Sequence, residues 1–120
     1  MSSDITLDFK KLKQVAGIQT DVLPIVVQHA ETKEVLILAY VNKTALKQTQ
    51  VSGYAVFWST SRDELWEKGK TSGNRLKVSE IKVNCDENSL VFLVIPENEG
   101  VCHTKDETGQ YRKSCYYRAL

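Results

Sequence analysis

Five stretches of the chain are rich in apolar and β-branched residues, and short polar segments separate them. Each is seven or eight residues long, which is a usual length for a strand. The first two are joined by only three polar residues, so together they predict a β-hairpin with at least one buried strand. The predicted strands cover residues 23–30, 34–41, 54–60, 76–83 and 90–96.

Helical patterns are fewer and shorter than the strand patterns. Asn42 has the side chain of a helix N-cap, which predicts a helix over residues 43–50 that Gly53 ends. A further helix, closed by Gly17, is predicted to cover the sheet, because apolar residues recur before it at roughly helical spacing. These residues are Leu7, Phe9, Leu12 and Val15.

The last segment, residues 114–120, is short and aromatic, which predicts a closing strand. The elements together predict a strand-rich α+β fold. We expect a mainly antiparallel sheet or barrel-like core with one or two short helices. The length of 120 residues is that of one ordinary domain, so residues 1–120 are interpreted as a single domain.

Composition excludes several classes of function. The chain has 16 basic and 15 acidic residues, so no excess of positive charge predicts binding to nucleic acid or to a membrane surface. The first residues lack the apolar core of a signal peptide, and no apolar run approaches the length of about 18 residues that spans a bilayer. A cytoplasmic location is therefore expected. An odd number of cysteines, three, fits metal binding or a free thiol better than a disulfide framework.

The three cysteines all lie in the last third of the chain, and His103 directly follows the second of them. Three thiolates can hold a zinc ion and leave its fourth position open to water, as in catalytic zinc sites. His103 is then a candidate general base, or alternatively a ligand itself. The paired-cysteine spacing of structural zinc sites is absent, so spacing alone is a weak signal for zinc. A cysteine taken alone is more often a small core residue than a ligand. The candidate zinc ligands are Cys85, Cys102 and Cys115.

Polar residues alternate around the first cysteine. If the preceding strand continues through them, Asn84, Asp86 and Asn88 share one face and Cys85 lies on the other. Oxygen ligands for a hard cation would then occupy one face and a soft sulfur the opposite face. The alternative is a polar turn near Glu87 with a cysteine behind it.

Residues 61–75 form a polar, glycine-containing stretch. It lacks the first glycine of a nucleotide-binding P-loop, since Glu64 stands there. Its basic and hydroxyl side chains and backbone amides could still bind a phosphate monoester, although a solvated basic loop is an equal alternative. The candidate ligand-binding residues are Arg62, Trp66, Lys68, Lys70, Thr71, Ser72, Gly73 and Asn74.

Read together, these motifs resemble the phosphoribosyl-AMP cyclohydrolases, enzymes of the third step of histidine biosynthesis. The resemblance runs from about Leu23 to the C-terminus and rests on several motifs in one order. They are VLILAYVNKTAL, FWSTSRDELWEKGKTSGNRL, the segment around Cys85, CHT and SCYYR.

The resemblance implies hydrolysis of the adenine ring of 1-(5-phosphoribosyl)-AMP between N1 and C6, which gives the ProFAR intermediate. It implies an intertwined homodimer in which Cys102 and Cys115 of one chain and Cys85 of the other hold zinc. His103 would move protons, and residues 61–75 would bind substrate phosphate and ribose. The family's magnesium ligands would map onto Asn84, Asp86 and Asn88.

The sequence departs from the family pattern in two places. Two of the three magnesium positions carry asparagine where the family has aspartate, which predicts weakened magnesium binding. The gap between Cys102 and Cys115 is longer than usual, and a surface loop can absorb the added residues while zinc binding is retained. The leading hypothesis is a working zinc cyclohydrolase. A catalytically weakened relative and a zinc-stabilised nucleotide-binding module stay open as alternatives.

Overall fold

A four-stranded mixed sheet forms the centre of the molecule, in a computed structural model that describes residues 5–120. A two-stranded sheet and two helices accompany it. In chain order the elements are α1 (Lys11–Ala16), β1 (Leu23–His29), β2 (Val35–Val41), α2 (Lys43–Ser52), β3 (Val56–Ser59), β4 (Glu64–Glu67), β5 (Leu76–Val83) and β6 (Leu90–Pro96). The predicted strand-rich α+β fold is thereby confirmed.

The larger sheet has the strand order β2-β1-β6-β5. Two antiparallel hairpins, β1–β2 and β5–β6, form its halves, and a parallel pairing of β1 with β6 joins them. The central strand β6 is apolar along its whole length, and consecutive residues on its two faces are buried, as expected for a strand that is covered on both faces. Along β6, buried residues include Phe92 and Val94, both with no exposed surface.

The smaller sheet pairs β3 with β4 and packs on the larger one through aromatic rings. Phe57 of β3 stacks on Phe92 at a centroid distance of 6.4 Å and meets the Trp66 ring edge-on at 5.6 Å. Backbone hydrogen bonds add to this contact: Ala55 donates to Leu76, and Lys68 donates to Ala55. Lys68 is thus fixed at the junction of the two sheets.

Helix α2 follows its predicted limits closely. The Asn42 side chain accepts a hydrogen bond from the backbone N–H of Ala45 at 2.8 Å, and Gly53 ends the helix with a left-handed φ of 80°. The buried Thr49 hydroxyl bonds to backbone groups of Ala45 and Val56, which ties the helix to β3.

The prediction of an amphipathic N-terminal helix over the sheet is wrong in two respects. Helix α1 begins only at Lys11, and none of its residues is buried. Leu7, Phe9 and Leu12 are exposed, and Gln14 provides a hydrogen bond from Nε2 to the Thr60 carbonyl. Among residues 5–120, neither helix has the length and apolar content that crossing a membrane requires.

Two further differences concern strands. Residues 61–75 were predicted as one polar loop, but the strand β4 lies within them. Residues 114–120 do not form the predicted closing strand. Instead, Ser114 donates its hydroxyl to the Val35 carbonyl, and the Cys115 N–H donates to Leu36. These contacts anchor the segment at one point on β2, and no ladder of bonds follows.

Candidate active site

Cys102 and Cys115 are thirteen positions apart in the sequence and lie side by side in the fold. Their thiols lie close enough for each to shift the pKa of the other. Cys102 is held by its backbone N–H, which donates to the Arg112 carbonyl at 2.8 Å. Cys115 is held in the same way by the Leu36 carbonyl at 2.8 Å. The backbone therefore positions both cysteines.

A hairpin-like excursion fills the sequence between the two cysteines. Lys105 and Tyr111 pair across it, and Asp106 closes its tip by accepting hydrogen bonds from the backbone N–H groups of Thr108 and Gln110. Gly109 has a φ of 83°, which suits a glycine in a tight turn. The segment between the two cysteines therefore folds on itself.

The surroundings of the pair shift the pKa values of the two thiols in opposite directions. Burial alone raises the pKa of Cys102, but hydrogen bonds from the hydroxyl and the backbone N–H of Thr104 outweigh it and lower the pKa. Cys115 also contributes to that lowering. Burial, followed by the hydrogen bond and the charge of Cys102, raises the pKa of Cys115. The two groups therefore behave as a coupled pair in which Cys102 ionises first.

Lys68 supplies the positive charge beside this pair. Its side chain is only 4% exposed, and its ammonium lies 5.7 Å from the centre of the Trp66 ring. Burial lowers the pKa of Lys68, and the nearby Cys115 and Cys102 sulfurs counteract that shift. No carboxylate within residues 5–120 pairs with this ammonium group. Its charge is therefore directed at the sulfur atoms and the adjoining pocket.

That pocket has a volume of about 360 Å³ and opens in front of Cys102. The exposed His103 and the ring of Trp66 line it, together with side chains of both charges. Its volume falls at the lower end of the range usual for small-molecule sites. Its walls are Arg62, Glu64, Leu65, Trp66, Glu67, Lys68, Gly69, Lys70, Thr71, Ser72, Asn74, Cys102, His103 and Tyr111.

Most of the residues predicted from the 61–75 stretch line this pocket. Gly73 does not, and its N–H already donates to the Gly69 carbonyl at 2.8 Å, so that amide is not free for a ligand. Arg62 is exposed and lies 3.5 Å from a Glu64 oxygen. The pocket thus contains hydroxyl and ammonium groups as predicted, but not the Gly73 amide.

Sequence reasoning did not assign Gly69 and Tyr111 to the site. A Cβ on Gly69 would lie 2.3 Å from backbone atoms of Asn74 and Arg75, so only glycine allows this close approach. Tyr111 packs against Gly100, where a Cβ would lie 2.4 Å from the tyrosine. A signal for Tyr111 was present, since it is the sole aromatic residue between the two cysteines.

The predicted magnesium residues lie on the turn between β5 and β6. The strand ends at Val83, and Glu87 has a φ of 57°, so Asn84 to Asn88 do not continue the strand. Asn84 Oδ1 accepts from the backbone N–H groups of Asn88 and Ser89, and its Nδ2 donates to Asn88 Oδ1 at 2.7 Å. Both amide oxygens therefore already accept hydrogen bonds within the turn.

The donor atoms of the cysteine pair fit a zinc ion, but only as part of a site. Two neighbouring sulfurs, one of them in surroundings that lower its pKa, are suitable soft ligands. Within residues 5–120, no group of three or more histidine, cysteine or acidic side chains is close enough to hold a metal. Hence His103 does not complete a three-ligand set with the pair. Cys85 is exposed on the β5–β6 turn, where a second molecule can reach it.

The fold and the site define a small α+β protein with a coupled cysteine pair at the mouth of a mixed-charge pocket. A family model described as phosphoribosyl-AMP cyclohydrolase matches residues 37–117. The chain belongs to this family of hydrolases, which act on C–N bonds. The recognition made from the sequence motifs is thereby confirmed.

Individual relatives agree with this membership. A protein of Archaeoglobus fulgidus named phosphoribosyl-AMP cyclohydrolase is 48% identical over 82% of this chain and 84% of its own length. One of the same name from Halobacterium salinarum is 42% identical over 98% of the chain and 84% of its own length. A Thermotoga maritima protein, "Histidine biosynthesis bifunctional protein HisIE", is 43% identical over 79% of the chain and 46% of its own length.

Proposed function

We propose that this chain is a zinc-dependent phosphoribosyl-AMP cyclohydrolase of the third step of histidine biosynthesis. Its reaction would be the hydrolytic opening of the adenine ring of 1-(5-phosphoribosyl)-AMP between N1 and C6, with ProFAR as product. The active form would be a cytoplasmic homodimer in which Cys102 and Cys115 of one chain and Cys85 of the other hold zinc.

The observation that carries this proposal is the coupled pair of Cys102 and Cys115 beside His103 at the pocket. Two neighbouring soft ligands and an open space beside them are the features expected of a catalytic zinc site that lacks one protein ligand. The exposed Cys85 is the remaining cysteine of the chain and lies outside the pocket. A second copy of the chain is therefore the natural source of the third sulfur.

When bound, zinc supplies the Lewis acidity that makes water a nucleophile near neutral pH. His103 is exposed at the pocket wall and directly follows Cys102, so its imidazole would be placed to accept a proton from an attacking water. The ring nitrogen N1 must gain a proton as its bond to C6 breaks, and the same imidazole can return it there. His103 is accordingly proposed as the catalytic acid and base.

The remaining pocket residues are proposed to bind and orient the substrate. Thr71 and Ser72 offer hydroxyl donors, and Lys68 offers a buried cation that strengthens interaction with a phosphate group. Trp66 presents an aromatic ring on which a base or ribose can pack. Lys70 and Arg62 are exposed and would contribute mainly to attraction of the doubly phosphorylated substrate.

Magnesium binding is proposed to be weak. Asp86 is the only one of the three family positions that carries a charge, and the amide oxygens of Asn84 and Asn88 are engaged within the turn. A hard cation prefers carboxylate oxygens, so neutral and occupied amides reduce its affinity. Activity that needs little magnesium, or that is low at every magnesium concentration, is compatible with this turn.

The test is an ultraviolet assay of ring opening with phosphoribosyl-AMP and purified protein, with zinc measured on the same sample. We expect turnover and about one zinc ion per chain, as a single tetrahedral site per chain requires. A magnesium series would show what the two asparagines change. Bound zinc without ring opening at any magnesium concentration would contradict the enzyme and favour the weakened relative or the nucleotide-binding module.

A further inference from the structure

Thr104 and Arg112 form a chain of hydrogen bonds that ends at the sulfur of Cys102. The Thr104 hydroxyl oxygen lies 2.9 Å from Cys102 Sγ, and the Thr104 backbone N–H donates to the same sulfur at 3.4 Å. Arg112 Nη1 in turn donates to Thr104 Oγ1 at 3.1 Å. Cys102 is 3% exposed and the other two residues are half-buried, so water competes little with these bonds.

The chemistry of the three groups determines which of them donates in each of these hydrogen bonds. A guanidinium group can only donate, so Arg112 occupies a lone pair of the Thr104 oxygen. A cysteine that ligates zinc is a thiolate and carries no hydrogen. The contact of 2.9 Å must then be the Thr104 hydroxyl donating to Cys102 Sγ. The sulfur therefore accepts two hydrogen bonds from a single threonine.

Backbone hydrogen bonds and an aromatic ring hold these hydrogen-bonded residues in place. The N–H of Cys102 donates to the Arg112 carbonyl, and the N–H of Arg112 donates to the Thr104 carbonyl at 3.0 Å. The Arg112 guanidinium lies 4.0 Å from the centre of the Tyr117 ring. Cys102 and Arg112 are both held in place, so the Thr104 hydroxyl between them is oriented as well.

We propose that Thr104 and Arg112 are positioning residues that orient the Cys102 sulfur for zinc and reduce the negative charge it presents. Thr104 acts on the sulfur directly, and Arg112 acts through the threonine hydroxyl. This inference rests on the zinc site of the proposed function. Groups that hydrogen-bond to metal ligands typically change metal affinity by about 10- to 100-fold when they are removed.

The first test removes the hydroxyl and keeps the shape of the side chain. Full-length Thr104→Val, Thr104→Ser and wild-type proteins are compared for zinc affinity by competition with a chromophoric chelator. Cadmium is then bound in place of zinc, and the thiolate-to-metal ultraviolet band reports the environment of the sulfur. We expect Thr104→Val to bind zinc about 10- to 100-fold more weakly with a shifted band, and Thr104→Ser to restore both values.

Thr108→Val is the matched control, because that hydroxyl lies in the same loop and bonds to Asp106. It should leave zinc affinity and the cadmium band unchanged. Equal affinities and bands for wild type, Thr104→Val and Thr108→Val would overturn the inference while the zinc site itself stands. Wild-type protein that binds neither metal would overturn the proposed zinc site and this inference together.

The second test concerns Arg112, with Arg118 as its control. Both guanidinium groups lie over the Tyr117 ring, at 4.0 Å and 5.2 Å, but Arg112 is the one that donates to Thr104. Arg112→Met should weaken zinc binding and shift the cadmium band in the same direction as Thr104→Val, by a smaller amount. Arg118→Met should change neither. Identical results for the two methionine variants would remove Arg112 from the proposal.

Discussion

Lys68 is the residue whose position most needs a chemical reason. A lysine is rarely buried without a partner, because desolvation of its charge is costly. Here the ammonium group has the Trp66 ring on one side and the two sulfurs nearby. A thiolate pair, or a substrate phosphate in the pocket, provides the negative charge that makes this burial favourable.

We therefore expect Lys68→Met to lower kcat/KM by roughly 10- to 100-fold, which is the loss expected for one charge-assisted hydrogen bond in a shielded site. Lys70→Met is the matched control, since Lys70 lines the same pocket but is exposed to screening by solvent. Steady-state kinetics measure both effects, and circular dichroism verifies the fold. Similar small losses in the two variants would show that burial gives Lys68 no special role.

Asn84 and Asn88 allow a test of the proposed magnesium site. Replacing both with aspartate puts two carboxylates where an amide now donates at 2.7 Å, so the turn should be repelled apart without a divalent cation. We expect the melting temperature of Asn84→Asp/Asn88→Asp to fall in chelator and to rise with magnesium. The further change Asp86→Asn should diminish the response to magnesium. A melting temperature independent of magnesium in the double variant would contradict the site.

At the scale of elements, the loop between β4 and β5 decides the shape of the pocket. Gly69 and Gly73 have nearly the same left-handed φ, 82° and 80°. They differ in their surroundings, because a Cβ would lie 2.3 Å from the backbone at Gly69 and 3.9 Å from the nearest atom at Gly73. Comparing an alanine substitution at each of the two glycines therefore distinguishes the cost of backbone strain from the cost of a steric clash.

Gly69→Ala is expected to destabilise the protein by about 3 kcal/mol, as the sum of left-handed strain and overpacking, and to abolish ring opening. Gly73→Ala bears the strain alone and should cost about 1 kcal/mol while much of the activity remains. Chemical denaturation and the ring-opening assay measure the two quantities. Equal free energies of unfolding for the two variants would show that the loop moves freely away from Gly69.

Sequence patterns predicted most elements because the conformation that the local residues favour is the one that these segments adopt in the fold. The runs at 76–83 and 90–96 coincide with β5 and β6, and Asn42 and Gly53 bound α2 as expected. Strand β4 was missed because Trp66 is its only half-buried side chain, so it lacks an apolar pattern. The parallel pairing of β1 with β6 is a long-range contact, and an apolar run is compatible with either direction.

The sequence predicted some residues of the candidate site and not others. The chemistry of cysteine and histidine singled out Cys102, Cys115 and His103, and the fold places Cys102 and His103 in one pocket with Cys115 close to Cys102. The contribution of Thr104 was not predictable, since it depends on a 2.9 Å contact to a sulfur that only the turned backbone creates. Sequence identifies the groups that react more readily than the groups that orient them.

At the scale of the whole molecule, the proposed zinc site needs one more sulfur than the described residues bring together. Cys102 lines the pocket with Cys115 close by, and the third cysteine is exposed on a turn outside the pocket. A dimer related by a two-fold axis would complete two equivalent sites by exchanging that cysteine in both directions. Activity would then belong to the dimer, and each chain would contribute to both of its sites.

Mixing two inactive variants tests this exchange. Cys85→Ser and Cys115→Ser should each be inactive alone, because every site in either homodimer lacks one sulfur. After random exchange about half of the dimers are mixed, and each mixed dimer has one intact site of two, so we expect about one quarter of wild-type activity. The ring-opening assay measures the recovery, and native mass spectrometry measures the fraction of mixed dimers.

The control for this experiment is a mixture of Cys102→Ser with Cys115→Ser. These two sulfurs come from the same chain in each proposed site, so no mixed dimer has an intact set and no activity should return. Recovery in the first mixture and not in the second requires that Cys85 acts across the interface. If mixed dimers of Cys85→Ser and Cys115→Ser form and stay inactive, the cross-chain ligand is wrong. The zinc site must then draw its third ligand from elsewhere.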